Sequence, residues 1–335
     1  MIDVTDLRSL NEILRDADTE LVAGRAAAAL VWPSGFEPLD TYLSGGLRSG
    51  ELTLLGGPQG LGKTTLALQM LRNVVAAGQP GVMFSYEHDA GTILERMIAL
   101  EAGSDSDIEA VSLRRVREAM ETTDSGLGGL EERLAASNGG AEAVRAVTAY
   151  GDHLHLHRSN GSSTSLAEIR SVVEAVARQE GRPPFVVVDY LQKVAAVHNA
   201  EVEEERVTRI VEGLKDLALD LDLPILAIVA ADREGLVAGK RLRVHNLRGS
   251  SALAYEADVV LIMNDKFDVV ARHHLVYDVG NAERFRNYVV LSIEKNRSGL
   301  DRIDLEFRKR FEQSRFETTG GAVDEQLVDE RVYTE

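Results

Sequence analysis

The stretch Gly57-Pro58-Gln59-Gly60-Leu61-Gly62-Lys63-Thr64 decides how the rest of the chain is read. It satisfies G-x-x-x-x-G-K-[ST], the phosphate-binding loop pattern of P-loop NTPases. Glycines let the backbone curl so that successive N–H groups point inward at phosphate oxygens. A lysine at position 63 can reach the β- and γ-phosphates, and a threonine hydroxyl at position 64 can ligate Mg²⁺. Before the loop, Leu52-Thr53-Leu54-Leu55 reads as a short buried strand. After it, Thr65 to Leu71 reads as a helix whose N-terminus faces the phosphates. Gly57, Pro58, Gln59, Gly60, Leu61, Gly62, Lys63, Thr64 and Thr65 are therefore the nucleotide-binding candidates, with ATP and Mg²⁺ the expected ligands.

Working outward, apolar runs alternate with helical periodicity. Gly81 to Tyr86, Phe185 to Asp189, Leu223 to Ala230 and Val259 to Met263 read as buried strands. Thr92 to Ala102, Leu113 to Met120, Ser165 to Gln179 and Val207 to Leu221 read as helices. Residues 122–151 carry several glycine turn signals and are expected to form short surface helices. Tyr288 to Glu294 and Ile303 to Phe307 are strands joined by a hairpin-like turn at Asn296-Arg297-Ser298-Gly299. The expected fold is α/β, a mostly parallel sheet with helices on both faces. Leu7, Leu10, Ile13 and Leu14 predict a helix from about Thr5 to Leu30. The chain is divided into an N-terminal helical arm (1–31), an ATPase core (32–318) and an acidic C-terminal tail (319–335).

The chain has 335 residues, a net charge of −17 and no cysteine. Disulfides, thiolate metal sites and cysteine nucleophiles are excluded. The acidic start Met1-Ile2-Asp3-Val4-Thr5-Asp6 is unlike a secretion signal, and no apolar stretch is long enough for a bilayer, so a cytoplasmic protein with no membrane partner is expected. The long-range field repels phosphates, so any nucleic-acid contact must act locally and be salt-sensitive.

Asp189, closing a hydrophobic strand, is the candidate Mg²⁺ partner beside Thr64. Glu87, at the carboxyl end of the next strand after the loop, is the candidate base that orients and deprotonates the attacking water. Lys295 and Arg297 lie two apart and project from one strand face; they read either as a solvated basic turn or as a pair reaching a neighbouring subunit's γ-phosphate. Lys240, Arg241 and Arg243, in the loop from Arg233 to Arg248, are either an exposed basic loop or a nucleic-acid contact. His153, His155 and His157 alternate, as on one face of a strand, and suit a polar strand face or a metal site.

Together these residues resemble the ATPase domain of DnaB-type replicative helicases, within the RecA/KaiC group. The resemblance runs from about Ser34 to Phe316. It is carried by Ser34-Gly35-Phe36-Glu37-Pro38-Leu39-Asp40, Ser44-Gly45-Gly46-Leu47, Phe84-Ser85-Tyr86-Glu87, Asp189-Tyr190-Leu191-Gln192, Leu247-Arg248-Gly249-Ser250 through Asp258, and Lys295-Asn296-Arg297-Ser298-Gly299. It implies a RecA-like core, Glu87 as catalytic glutamate, Lys295 and Arg297 as an arginine-finger element acting in trans, and a hexameric ring. It also implies that residues 5–31 are a linker helix packing on the adjacent protomer. Three departures are expected: the family's N-terminal primase-engaging domain is missing, Ala230 stands where many members carry a γ-phosphate-sensing Gln, and the charge is unusually acidic. The resemblance implies an ATPase acting on single-stranded DNA. The departures leave a second reading open: a regulatory or scaffolding ATPase whose nucleotide state controls its assembly and its protein partners.

Overall fold

The computed structural model describes residues 7–24, 27–103, 110–195, 202–233, 235–237, 239–249, 251–276 and 279–330. Helix α1 (Leu10–Val22) opens with Ser9 and Glu12 in a reciprocal capping box. It is shorter than the expected helix over 5–30. Ser9 fixes its start, and the chain turns into the left-handed region at Gly24, φ 72°. Thr5 and Arg25, which the expectation also touched, lie outside the described residues. Strands β1 (Val31–Trp32) and β2 (Leu47–Arg48) pair as a small ribbon around helix α2 (Glu37–Tyr42).

The main sheet has 10 strands. Its parallel part runs β8-β3-β7-β6-β4-β5, comprising β3 (Leu52–Gly56), β4 (Gly81–Ser85), β5 (Leu154–Arg158), β6 (Phe185–Asp189), β7 (Ile225–Val229) and β8 (Val259–Asp265). Antiparallel strands β9 (Tyr288–Asn296), β10 (Ile303–Arg310) and β11 (Arg315–Phe316) extend it beyond β8, and β12 (Gly321–Ala322) pairs with β10.

Strand residues alternate between two cores, as the pleat requires. Leu55, Met83, Val187, Ile228 and Leu261 face α3 (Lys63–Ala76) and α4 (Ala90–Ala102). Leu54, Phe84, Val188, Ala227 and Val260 face α8 (Leu166–Glu180) and α9 (Glu203–Asp220), so both faces are covered. Between α4 and α8, helices α5 (Leu113–Glu121), α6 (Leu130–Leu134) and α7 (Gly140–Tyr150) bury Val116, Leu134 and Ala143 against Ile98 and Ala99 in a satellite core. Helix α10 (Ala252–Glu256) leads into β8, and α11 (Lys266–Val269), α12 (His273–Val276) and α13 (Val279–Arg286) lie between β8 and β9.

The described residues beyond β12, as far as Glu330, form a strap against the domain. Beyond β12, the Ala271 amide donates to the Gln326 carbonyl, the Val328 amide to the Val269 carbonyl, and the Arg241 amide to the Asp329 carbonyl, each at 2.8 Å. Glu325 meets Lys266, which is 0% exposed and also bonds Glu306. Its ammonium lies 4.6 Å from the Phe285 ring centroid, so charge pairing and a cation–π contact together offset its desolvation.

Candidate functional site

The phosphate loop leaves the carboxyl end of β3 and enters α3 at Lys63, with Gly62 as its N-cap at φ 86°. A Cβ on Gly62 would stand 2.8 Å from the Phe311 ring, so both the backbone angle and the packing demand glycine. The loop opens into a cleft of about 970 Å³ lined by Gly57, Gln59, Gly60, Lys63, Thr64, Thr65, Glu87 and Asp189, among others. Ligands of open α/β sheets lie at this carboxyl edge.

Register explains why distant residues converge there. Ser85 on β4 stands opposite Asp189 on β6, and the Tyr86 amide donates to the Asp189 carbonyl at 2.9 Å. Glu87 is thereby held beside Asp189 at the mouth of the cleft. Thr64 Oγ1 donates to Asp189 Oδ2 at 2.7 Å, placing a hydroxyl and a carboxylate together as the hard-oxygen pair that Mg²⁺ prefers. Lys63 Nζ donates to the carbonyls of Gly57 and Pro58, both at 2.8 Å, curled over its own loop. Those carbonyls are weaker partners than a phosphate, so a triphosphate fits by taking over the ammonium.

Burial sets the electrostatics. Asp189 is pushed up to about 6, first by burial and further by Glu87, while the Thr64 hydroxyl and Lys63 oppose the rise. Lys63 is lowered, again mainly by burial, with Asp189 and Glu87 opposing. The site therefore holds both acids near a cation but short of full neutralisation, an arrangement that favours an added divalent ion.

Sequence reasoning missed Arg96, on the inward face of α4 nine positions after Glu87. It lines the same cleft, and its Nε is buried without a partner among the described residues. Burial lowers it and Asp189 opposes. Its position on a helix leaving the carboxyl edge was the available signal. Ala230 does line the cleft. Its amide donates to Gln192 Oε1 at 3.1 Å, while Gln192 Nε2 donates to the Arg248 carbonyl at 2.8 Å, so the glutamine of Asp189-Tyr190-Leu191-Gln192 serves the loop backbone.

Lys295 and Arg297 stand elsewhere. Thr53 on β3 pairs with Val259 on β8, and Val259 pairs with Asn296 on β9. They therefore lie at the amino edge of β3, about 13 Å of strand away from Gly57. Lys295 Nζ donates to the carbonyls of Ala254 (2.8 Å) and Tyr255 (3.0 Å), and Arg297 donates to Asp258 and to the Tyr255 carbonyl. Neither side chain reaches the chain's own cleft.

The basic cluster needs correcting. Arg241 is 4% exposed and donates to Ser292 Oγ and to Asp304, so it is a core ion pair and not an exposed contact. Arg243 pairs with Glu294 and with Asp329 of the strap, and Lys240 is half-buried. Acids 51 to 86 positions away consume this charge, which no local reading of the loop could see. His153 Nδ1, just before β5, and His155 Nε2, on it, share the Glu180 carboxylate at 2.8 and 2.9 Å, and His157 pairs with Ser159, so all three histidines have polar protein partners. No cluster of three or more histidines or acids among the described residues is placed to hold a metal ion by itself.

A family model, the DnaB-like helicase C-terminal domain, matches residues 32–318. The chain belongs to that family. It is 27% identical over 280 residues to the replicative DNA helicase DnaB of Treponema pallidum (strain Nichols), covering 83% of this chain and 54% of that protein. The replicative DNA helicase DnaB of Mycoplasma pneumoniae is 28% identical over 277 residues, covering 79% and 52%. The chain thus spans about half the length of these curated relatives. A solved DnaB-like replicative helicase, described with its interactions with primase, superposes with a TM-score of 0.71 at 20% identity over 92% of this chain and 68% of that one. An isolated ATPase domain superposes at 0.70 and 22% identity, covering 92% and 98%. Both likenesses establish the RecA-like fold of this DnaB-like domain. The strap lies beyond the matched residues. No helix among the described residues is long and apolar enough to cross a membrane.

Proposed function

We propose that the chain is the motor domain of a ring-forming, DnaB-like ATPase that moves on single-stranded DNA. The observation that carries this reading is one cleft holding Lys63, Thr64, Asp189 and Glu87, while Lys295 and Arg297 occupy the opposite sheet edge. A nucleotide at a subunit boundary lets both sets act on one γ-phosphate, which a single chain cannot do.

In this reading, residues 57–65 hold the triphosphate, and Thr64 with Asp189 holds Mg²⁺. When bound there, the ion would supply positive charge against the triphosphate. Glu87 orients water and accepts its proton. Arg297 of the neighbouring subunit, with Lys295, neutralises charge developing on the γ-phosphate. Leu10, Leu14 and Leu21 along α1, with Leu7 just before it, are unburied in the single chain and pack on the adjacent protomer as the hexameric ring closes. Lys240 and Arg243, within the 233–248 loop, are the proposed strand contacts, with Arg243 exchanging Asp329 for a phosphate.

The test is steady-state ATP hydrolysis titrated with a single-stranded oligonucleotide at low salt. Stimulation by the strand, abolished in Lys63→Ala, supports the reading. Turnover indifferent to the strand removes the translocation part and favours an ATPase that controls assembly.

A further inference from the structure

Asp258 occupies a junction that the reaction scheme above leaves unused. It opens into β8, is 5% exposed, and its carboxylate serves three donors from different elements. The Leu52 amide, at the start of β3, donates to Oδ2 at 2.8 Å. Lys215 Nζ, from α9, donates to the same oxygen at 2.7 Å. Arg297 Nη1 donates to Oδ1 at 3.3 Å. The Arg297 amide also donates to the Asp258 carbonyl at 2.9 Å, so one residue grips Arg297 by backbone and side chain together.

The arrangement is asymmetric. Oδ2 is locked by a strand amide and a lysine that is 14% exposed, which leaves Oδ1 free to face the arginine. Arg297 itself is 49% exposed and points outward. A long side chain at a surface loses much rotamer freedom on being held, so an unheld Arg297 samples many positions. A fixed carboxylate on one Nη, with the Tyr255 carbonyl on the other, narrows that set and leaves the remaining donors turned to solvent.

We infer that Asp258 is a positioning residue for Arg297, presenting the guanidinium to the nucleotide of the adjacent subunit. The inference rests on reading Arg297 as an element that acts in trans. It differs from a purely structural role, in which Asp258 only caps β3 and neutralises Lys215. A structural defect weakens the chain's own site as well. A positioning defect slows turnover and leaves nucleotide affinity alone.

The experiment is a double-mutant cycle of Asp258→Asn and Arg297→Ala in the full chain, read as DNA-stimulated kcat and as Kd for a non-hydrolysable ATP analogue. Asp258→Asn is expected to lower kcat about 10-fold or more, as misplacement of an oriented group does, with Kd within about twofold of the parent. In the Arg297→Ala background the same change is expected to alter kcat less than about twofold, because the residue it acts through is gone. Should Asp258→Asn not fold, Asp258→Glu keeps the charge beside Lys215 while shifting the oxygen that meets Arg297, and the same non-additivity is required of it. Multiplying losses, or an unchanged kcat in Asp258→Asn, overturn the inference and leave the trans reading standing. Parental turnover in Arg297→Ala overturns both.

Discussion

Thr64 Oγ1 donates to Asp189 Oδ2 across 2.7 Å, joining residues 125 positions apart, one in the first turn of α3 and the other at the carboxyl end of β6. The carboxylate is pushed up to about 6, mainly by burial. Its folded value lies above the ordinary 3.8, so in the metal-free protein the contribution of this group to stability is fullest below about 4 and is lost as pH rises through about 6. Metal holding has the opposite sign, since a protonated carboxyl is a poor ligand. Affinity for magnesium–ATP is therefore expected to fall as pH drops through about 6. Calorimetry across pH 5 to 8, with Asp189→Asn flattening that profile, checks it.

Lys63 and Glu87 share the cleft but are expected to fail differently. Lys63→Ala removes the ammonium proposed to meet the phosphates, so nucleotide binding itself is expected to be lost. Glu87→Gln keeps the shape and leaves Kd near the parent, while kcat drops by about 10²–10⁴, the usual contribution of a placed general base. Equilibrium binding beside single-turnover hydrolysis separates the two.

Gly62→Ala combines a positive φ with a Cβ 2.8 Å from Phe311. An alanine held there costs about 1–2 kcal/mol from the backbone alone. The variant is expected to bind nucleotide at least 10-fold more weakly, because the loop relaxes away from its cradle. Adding Phe311→Leu is expected to recover only the packing part, leaving the backbone cost.

Leu10, Leu14 and Leu21 leave an apolar face of α1 in solvent, continued by Leu7 just before the helix. Leu10→Asp with Leu14→Asp is expected to lower the oligomeric state without shifting the melting of the core, since α1 buries none of its own residues. Light scattering coupled to gel filtration reads the first, and calorimetry the second.

Lys266→Ala removes the cation between Glu306 and Glu325 and leaves two acids facing each other. Breaking a buried pair of this kind costs about 3–5 kcal/mol, so a large fall in Tm is expected. Lys266→Met, with Glu306→Gln and Glu325→Gln, replaces charge by neutral volume and is expected to recover most of it.

Much of the fold and of the candidate site is legible in the sequence, for specific physical reasons. A phosphate cradle needs glycines and a lysine at fixed spacing, so residues 57–65 announce themselves. Central parallel strands are buried on both faces, so Phe185 to Asp189 reads as one unbroken apolar run ending in an acid. What escaped was whatever long-range pairing decides. Arg241 reads as an exposed base until Asp304 and Ser292 arrive on neighbouring strands. Arg96 sits in an ordinary amphipathic helix, and only the approach of β6 gives its guanidinium a role. Helices α11–α13 are too short to carry a clear period. The strap is polar and acidic, and its partners, the buried Lys266, Arg243 and the backbone of Val269, Ala271 and Arg241, are all distant in sequence.

That lysine has a mechanical consequence. With Glu325 withdrawn, the ammonium keeps only one of its two carboxylates inside an apolar shell, so the last segment cannot peel away by itself at low cost. It is tied to the short helices beside it and to Arg243 of the 233–248 loop, so these three parts are expected to open and close as one cooperative unit.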